Sequence, residues 1–303
     1  MKNIIISGHA GMGHMLCSCN FAFNLSDKLS SLGIENKVYH RNWHGWESFS
    51  RVFNISHPNF SSKNEEIDDA LAARGLDWAV YGHQVYKRKG VNGREITSKI
   101  SRDYIEELSS MFLKTKDFNE NICVSPDQTD DRDLKDFFNL YGMQPYLQTQ
   151  FQDMYNLLNK GNYVGIHVRG SDRIFNKNES YEDFLAVQVG RINKILIEVP
   201  DESAILIASD NQDILKRFVD NRKIFSASIA YHLYKKGISL PASESSCFCK
   251  SKNFWMELGY EREQVSGNAL LDFYLLAKSR KFYASEYSGW AGMINKLMKA
   301  QAE

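Results

Sequence analysis

The chain has 303 residues, 43% hydrophobic and 13% aromatic, enough for a full core in one large or two medium domains. Lys plus Arg and Asp plus Glu number 37 each, so no net field favours nucleic acid, and Tyr86-Lys87-Arg88-Lys89 reads as a short solvated loop. No apolar run reaches a membrane span, Met1-Lys2-Asn3 leads into a strand rather than a signal peptide, and five cysteines without zinc-finger spacing read as reduced cytoplasmic thiols.

Asn3 to Ser7 is a short apolar strand. Gly8, Gly11 and Gly13 then punctuate a loop, and a helix is expected from about His14 to Leu32, with Leu16, Cys19, Phe23 and Leu29 near helical spacing and Gly33 as its stop. Lys37-Val38-Tyr39 is the next strand. Such a strand, glycine loop and helix can hold phosphate on backbone N–H groups, although many glycine loops simply turn. The string is G-x-x-G-x-G rather than the dinucleotide fingerprint, and Tyr39-His40-Arg41 stands where a ribose-binding acid would be. Residues 41–66 read as a long loop rich in Trp and His. Its His44 and His57, with His40, fit no standard metal spacing, and surface or acceptor-groove aromatics suit it better. Helices are expected at Glu65 to Arg74, Ser98 to Lys114, Asp131 to Tyr141 and Pro145 to Lys160. Strands are expected at Trp78 to Tyr81 and Asn121 to Ser125.

The second half repeats an α/β rhythm. Tyr163 to Val168 is a buried strand that ends in His167, Arg169, Gly170, Ser171 and Asp172. In open α/β sheets ligands bind beyond the carboxyl ends of the strands, and an arginine fork there matches phosphate oxygens; a structural Arg169–Asp172 ion pair is the alternative. A helix follows from about Tyr181 to Ile197, then the strand Ala204 to Ala208, ending in Ser209-Asp210-Asn211. A helix from Gln212 to Val219 and the strand Lys223 to Phe225 come next. Tyr231 to Trp255 reads as a loop, Gly267 to Lys278 as a helix, and Lys281 to Ala284 as a strand. Ser285 to Gly289 leads into a last helix. Right-handed crossovers would bring the three polar strand ends to one edge of a parallel sheet.

These pieces, in this order, resemble the fucosyltransferases of the α1,6 and nodulation type, with their α1,2 and protein-O relatives. Ile166 to Asp172 (IHVRGSD) is similar to that family's H-x-R-x-x-D motif. Ile205 to Asn211 is similar to its second, strand-then-acid motif. Leu270 to Ile294 is similar to its third, and Gly8 to Phe23 resembles its glycine-rich first loop. The chain departs from the pattern at Gly170, where a second Arg is frequent, at Asn211 in the acidic pair, and at Gly289, where the α1,6 enzymes tend to have Gln.

The resemblance implies an α/β fold of GT-B type, two Rossmann-like domains facing across a cleft. We expect an N-terminal domain at 1–148 on the acceptor side and a C-terminal domain at 149–303 binding the nucleotide sugar. It further implies GDP-fucose or a related GDP-sugar as donor, inversion at the anomeric carbon, and neither metal nor cofactor. Arg169 is then the group that neutralises the departing diphosphate, with Gly11, Gly13 and His14 supporting it. His167 and Asp172 orient Arg169 or touch the donor. Asp210 and Asp272 resemble residues that read guanine or ribose, and Ser288 a phosphate-contacting serine that also fits as a helix N-cap. Glu179 is the first candidate for general base, with Asp172 and His9 behind it. A glycan or glycolipid is the expected acceptor. A homodimer and peripheral association with the inner face of the membrane are compatible with the sequence. Another nucleotide-sugar donor, a Rossmann-type oxidoreductase and a non-catalytic sugar-nucleotide-binding protein are the competing readings.

Overall fold

The structure is a computed structural model. It describes the chain apart from residues 1, 7–11, 41–52, 62–77, 82–83, 90–92, 100–105, 107–108, 110–120, 126–133, 135–136, 171–179, 220–222, 240–251, 287 and 303; the helices expected at Glu65 to Arg74 and over most of Ser98 to Lys114 lie outside the described residues. It divides into two compact units, Met1–Gly142 and Met143–Glu303.

In the first unit, β1 (Lys2–Ile6) is buried along its whole length. Its neighbours are β2 (Asn36–His40) and β8 (Asn121–Ser125), both parallel to it. With β4 (Phe60–Ser61), β5 (Trp78–Tyr81), β6 (Gln84–Lys89) and β7 (Gly93–Lys99), they form a seven-stranded sheet ordered β4-β2-β1-β8-β5-β6-β7. It is parallel from β4 to β5 and antiparallel thereafter. Tyr86 to Lys89, expected as a loop, is thus part of β6, because pairing on both sides outweighs its charged composition. Likewise Ser98 and Lys99 end β7 rather than starting a helix.

Helix α1 (Met12–Ser31) packs Leu16, Cys19, Phe23 and Leu29 into this unit's core. It ends as a Schellman turn. Gly33 sits at φ +73°, the Ile34 N–H donates to the Leu29 carbonyl at 2.9 Å, and the Gly33 N–H donates to that of Ser30 at 3.0 Å. The expected loop at 41–66 contains β3 (Phe53–Ile55) as well as β4, and β3 pairs with β9 (Tyr141–Met143) as a separate ribbon. Between β3 and β4, His57 is buried, not surface-lying. Its ring stacks on Phe23 (4.5 Å, 19°), and its Nε2 lies 3.2 Å from Asp27 Oδ1. The described part of the helix expected at Asp131 to Tyr141 is one turn, α2 (Phe137–Leu140).

The second unit opens with α3 (Pro145–Leu157). Its sheet is four parallel strands, β10 (Tyr163–Val168), β11 (Ala204–Ser209), β12 (Ile224–Phe225) and β13 (Lys281–Ala284), ordered β12-β11-β10-β13. Helices α4 (Tyr181–Glu198), α5 (Gln212–Phe218), α6 (Ile229–Lys235), α7 (Lys252–Glu257), α8 (Arg262–Ala277) and α9 (Gly289–Ala302) connect and cover it. Two of these, α6 and α7, fall where the sequence reads as loop. Each is short and closed by a left-handed glycine, Gly237 and Gly259, both at φ +75°. Such brief helices leave little periodicity to detect; burial of Leu233 and Trp255 in the core holds them. Helix α8 also starts earlier than expected, on a Glu261/Gln264 capping box. Gly267 lies inside it because a Cβ there would stand 2.9 Å from Leu147 Cδ2 of α3.

The core of this unit is Ile166, Val168 and Ile207 from the central strands with Phe184, Ile192, Leu215 and Phe218 from the helices. Tyr163 donates its hydroxyl to the Leu275 carbonyl, tying β10 to α8. Gly165 permits this approach: a Cβ would lie 2.9 Å from Ser279 Oγ and 3.0 Å from Leu276 Cδ2. Gly165→Val is therefore expected to lower unfolding stability by about 1–3 kcal/mol through overpacking, measured by urea titration.

Candidate functional site

Three strands of the second unit end in polar residues, and their register brings those ends to one edge. Val168 pairs with Ser209, and His167 pairs with both Ala208 and Ala284, all in parallel. Numbered along this unit, the strands run third, second, first, fourth across the sheet. The chain order therefore reverses between β10 and β13. That is the topological switch point, where adjoining connections leave on opposite faces and open a crevice. His167 and Arg169 sit at the end of one bordering strand, Ser285 and Ser288 after the other.

His167 is buried and stacks on Trp290 at 5.5 Å and 22°. Burial, and secondarily the Arg169 charge, push its pKa down to about 4, so the imidazole is neutral at neutral pH. Its Nδ1 is buried without a hydrogen-bond partner, as are Ser285 Oγ and Trp290 Nε1. The Ser285 N–H donates to the His167 carbonyl at 2.9 Å. Arg191 of α4 fastens the same turn, donating to the Ser285 carbonyl at 3.1 Å and to Glu286 Oε1 at 2.9 Å. Ser288 is the N-cap of α9: its buried Oγ accepts the Ala291 N–H at 3.1 Å.

Arg169, half-buried, follows β10 directly. The next residue, Gly170, donates its N–H to Asp210 Oδ1 at 2.8 Å. A Cβ on Gly170 would come within 2.3 Å of that oxygen and 2.7 Å of Asn211 Cβ. Residue 170 is a glycine for a local reason: no side chain fits there. Asn211 caps α5, its Oδ1 accepting the Asp213 N–H at 2.9 Å and the Ile214 N–H at 3.1 Å. Tyr181, the first residue of α4, donates its hydroxyl to Asp213 Oδ2 at 2.6 Å.

Asp272 of α8 is buried rather than exposed on its helix. Its Oδ2 accepts the Ser228 hydroxyl at 2.6 Å, and Ser228 Oγ in turn accepts the Ser209 N–H at 3.1 Å. Desolvation raises the Asp272 carboxyl to about 7 despite the Ser228 hydrogen bond, and its Oδ1 has no partner. Ser228 precedes α6 like an N-cap, but its hydroxyl serves Asp272 and β11 instead.

His167, Arg169, Asp210, Asp272 and Ser288 therefore share the carboxyl edge of one sheet. Gly13 and His14 fall in the first turn of α1, in the other unit. Gly11, Asp172 and Glu179 lie outside the described residues, as do His9 and His44. Ser228, Tyr181, Arg191 and Trp290 were not singled out by the sequence. A serine ahead of a helix and an aromatic just inside the next one carry too little pattern to reveal their partners.

No family model matches the chain, and no curated protein sequence matches it. Solved structures do. The NodZ α-1,6-fucosyltransferase co-crystallised with GDP shares 14% identity at a TM-score of 0.54, covering 97% of this chain and 92% of that one. The same enzyme soaked with GDP-fucose gives 13%, a TM-score of 0.52, and 98% and 93% coverage. POFUT1 in its apo form gives 8%, a TM-score of 0.51, and 97% and 94% coverage. The chain thus shares the fold of these fucosyltransferases over nearly its whole length, and the α/β class of GT-B type expected from the motifs is the class found.

Proposed function

We propose that this chain is a metal-independent, inverting glycosyltransferase that moves fucose from GDP-fucose to a hydroxyl of a glycan or glycolipid. The observation that carries this reading is the polar edge at the switch point, with Arg169 and a neutral His167 at the end of the central strand. The likeness in fold to enzymes solved with GDP and GDP-fucose supports it.

In this reading the second unit binds the donor and the first serves the acceptor. The acceptor oxygen forms a bond to the anomeric carbon as that carbon's bond to the diphosphate oxygen breaks, and GDP leaves. Arg169 stabilises the negative charge that grows on the diphosphate, with Ser288 as a further donor. Glu179 takes the acceptor proton, and Asp172 orients Arg169. Asp272 offers its remaining carboxylate oxygen to guanine or ribose. Asp131-Arg132-Asp133, outside the described residues, is a D-x-D string of the kind that holds a divalent cation in other transferases, so EDTA is part of the test.

Thermal unfolding with GDP, UDP and NAD, each with and without EDTA, tests the proposal. GDP at a hundred times its Kd is expected to add about 2.7 kcal/mol of apparent stability, unchanged by EDTA. Selective stabilisation by UDP overturns the donor, loss of the GDP effect in EDTA overturns metal independence, and a response to NAD alone overturns the transferase reading.

A further inference from the structure

We propose that Asp210 is a positioning residue for Arg169: it acts by latching the Gly170 amide and does not itself read the nucleotide. The inference rests on the donor-binding reading above and deepens it.

Arg169 follows the last ladder pair of β10, Val168↔Ser209, and the peptide that comes after it helps to set its direction. That peptide is held across the sheet. The Gly170 N–H donates to Asp210 Oδ1 at 2.8 Å, forty residues away in sequence and one strand over. The approach is so close that residue 170 has to be glycine, since a Cβ would stand 2.3 Å from the oxygen and 2.7 Å from Asn211 Cβ. Asp210 is itself placed by the stiff start of α5. Asn211 caps that helix through the Asp213 and Ile214 amides, and its own N–H donates to Ser209 Oγ at 3.1 Å. A carboxylate accepting a backbone N–H is a charge-assisted bond, stronger than a neutral one. The bond at Gly170 is therefore a rigid link between two strand ends, and it restrains the backbone from which the Arg169 side chain departs.

The two roles for Asp210 make different demands. A latch needs only an acceptor oxygen, which Asp210→Asn retains. A carboxylate that reads guanine or ribose needs its second oxygen or its charge, which Asp210→Asn removes. The experiment combines amide hydrogen exchange, calorimetric titration with GDP, and melting curves for wild type, Asp210→Asn, Asp210→Ala and Gly170→Ala. Exchange at Gly170 is expected to quicken about tenfold or more in Asp210→Ala, while the Ile166 amide stays protected and so reports an intact strand. GDP affinity is expected to fall about tenfold in Asp210→Ala and in Gly170→Ala, and to stay within about threefold in Asp210→Asn. Equal loss in Asp210→Asn and Asp210→Ala overturns the latch in favour of direct reading, as does unchanged Gly170 exchange in Asp210→Ala. Failure of the wild type to bind GDP, with the Gly170 amide still protected, is a separate result. It sinks the donor reading, and the positioning role falls with it.

Discussion

Arg169→Ala is expected to lower kcat/KM with GDP-fucose by about 10²–10³, the usual consequence of removing one donor aimed at developing negative charge. The argument is electrostatic. Breaking the anomeric bond leaves a diphosphate with an additional charge, and in this reading no metal neutralises it. Arg169 lies at the switch point, half-buried, where a cation is screened less than on an open surface. A planar guanidinium is able to meet two phosphate oxygens at once and an ammonium is not, so Arg169→Lys is expected to recover only part of the loss. Initial rates of GDP release from donor and acceptor, with melting curves to confirm folding, make the measurement. A folded Arg169→Ala protein with turnover close to wild type would place the diphosphate elsewhere.

Asp272→Asn is expected to change the pH dependence of stability by several kcal/mol. In the folded chain the Asp272 carboxyl is raised to about 7, against an unfolded value of about 3.9. Between those values the folded state holds a proton that the unfolded state has released, so stability falls as pH rises through that window. At about 1.36 kcal/mol per unit, the accumulated cost above pH 7 is roughly 4 kcal/mol. The asparagine carries no charge and keeps an oxygen for the Ser228 hydroxyl, so it escapes this cost. Its advantage over wild type is expected to be largest near pH 8 and to shrink by roughly 2–3 kcal/mol by pH 5, read from urea unfolding at each pH. Parallel profiles for the two proteins would mean that Asp272 is charged and solvated in the folded chain.

The second unit was the more legible half, for a physical reason. Its strands are fully buried and parallel, so they read as continuous apolar runs, and each breaks off in polar residues where the sheet edge begins. Tyr163 to Val168 and Ala204 to Ser209 therefore announce both the sheet and its polar edge. The first unit hid more. Its β6–β7 hairpin carries a charged stretch that only pairing makes a strand, and the short β3 and β4 depend on contacts with distant segments. At the candidate site, the residues that carry charge were visible in the string. Those that hold them were not. Nothing local to Gly170 reveals that Asp210 sits 2.8 Å from its amide, nor does Ser228 betray its bond to Asp272.

Helix α4 has two attachments with a common consequence. At its first residue the Tyr181 hydroxyl grips Asp213, beyond the end of β11; midway along, Arg191 grips the Ser285 carbonyl, beyond the end of β13. One rod thus spans the strands on either side of β10, as a brace spans two posts. A ligand seated at that edge meets walls whose conformational entropy was lost on folding and does not have to be lost again on binding. Affinity there can then come from few contacts, and cutting the brace at Arg191 would weaken binding by loosening the frame while every contact group remains.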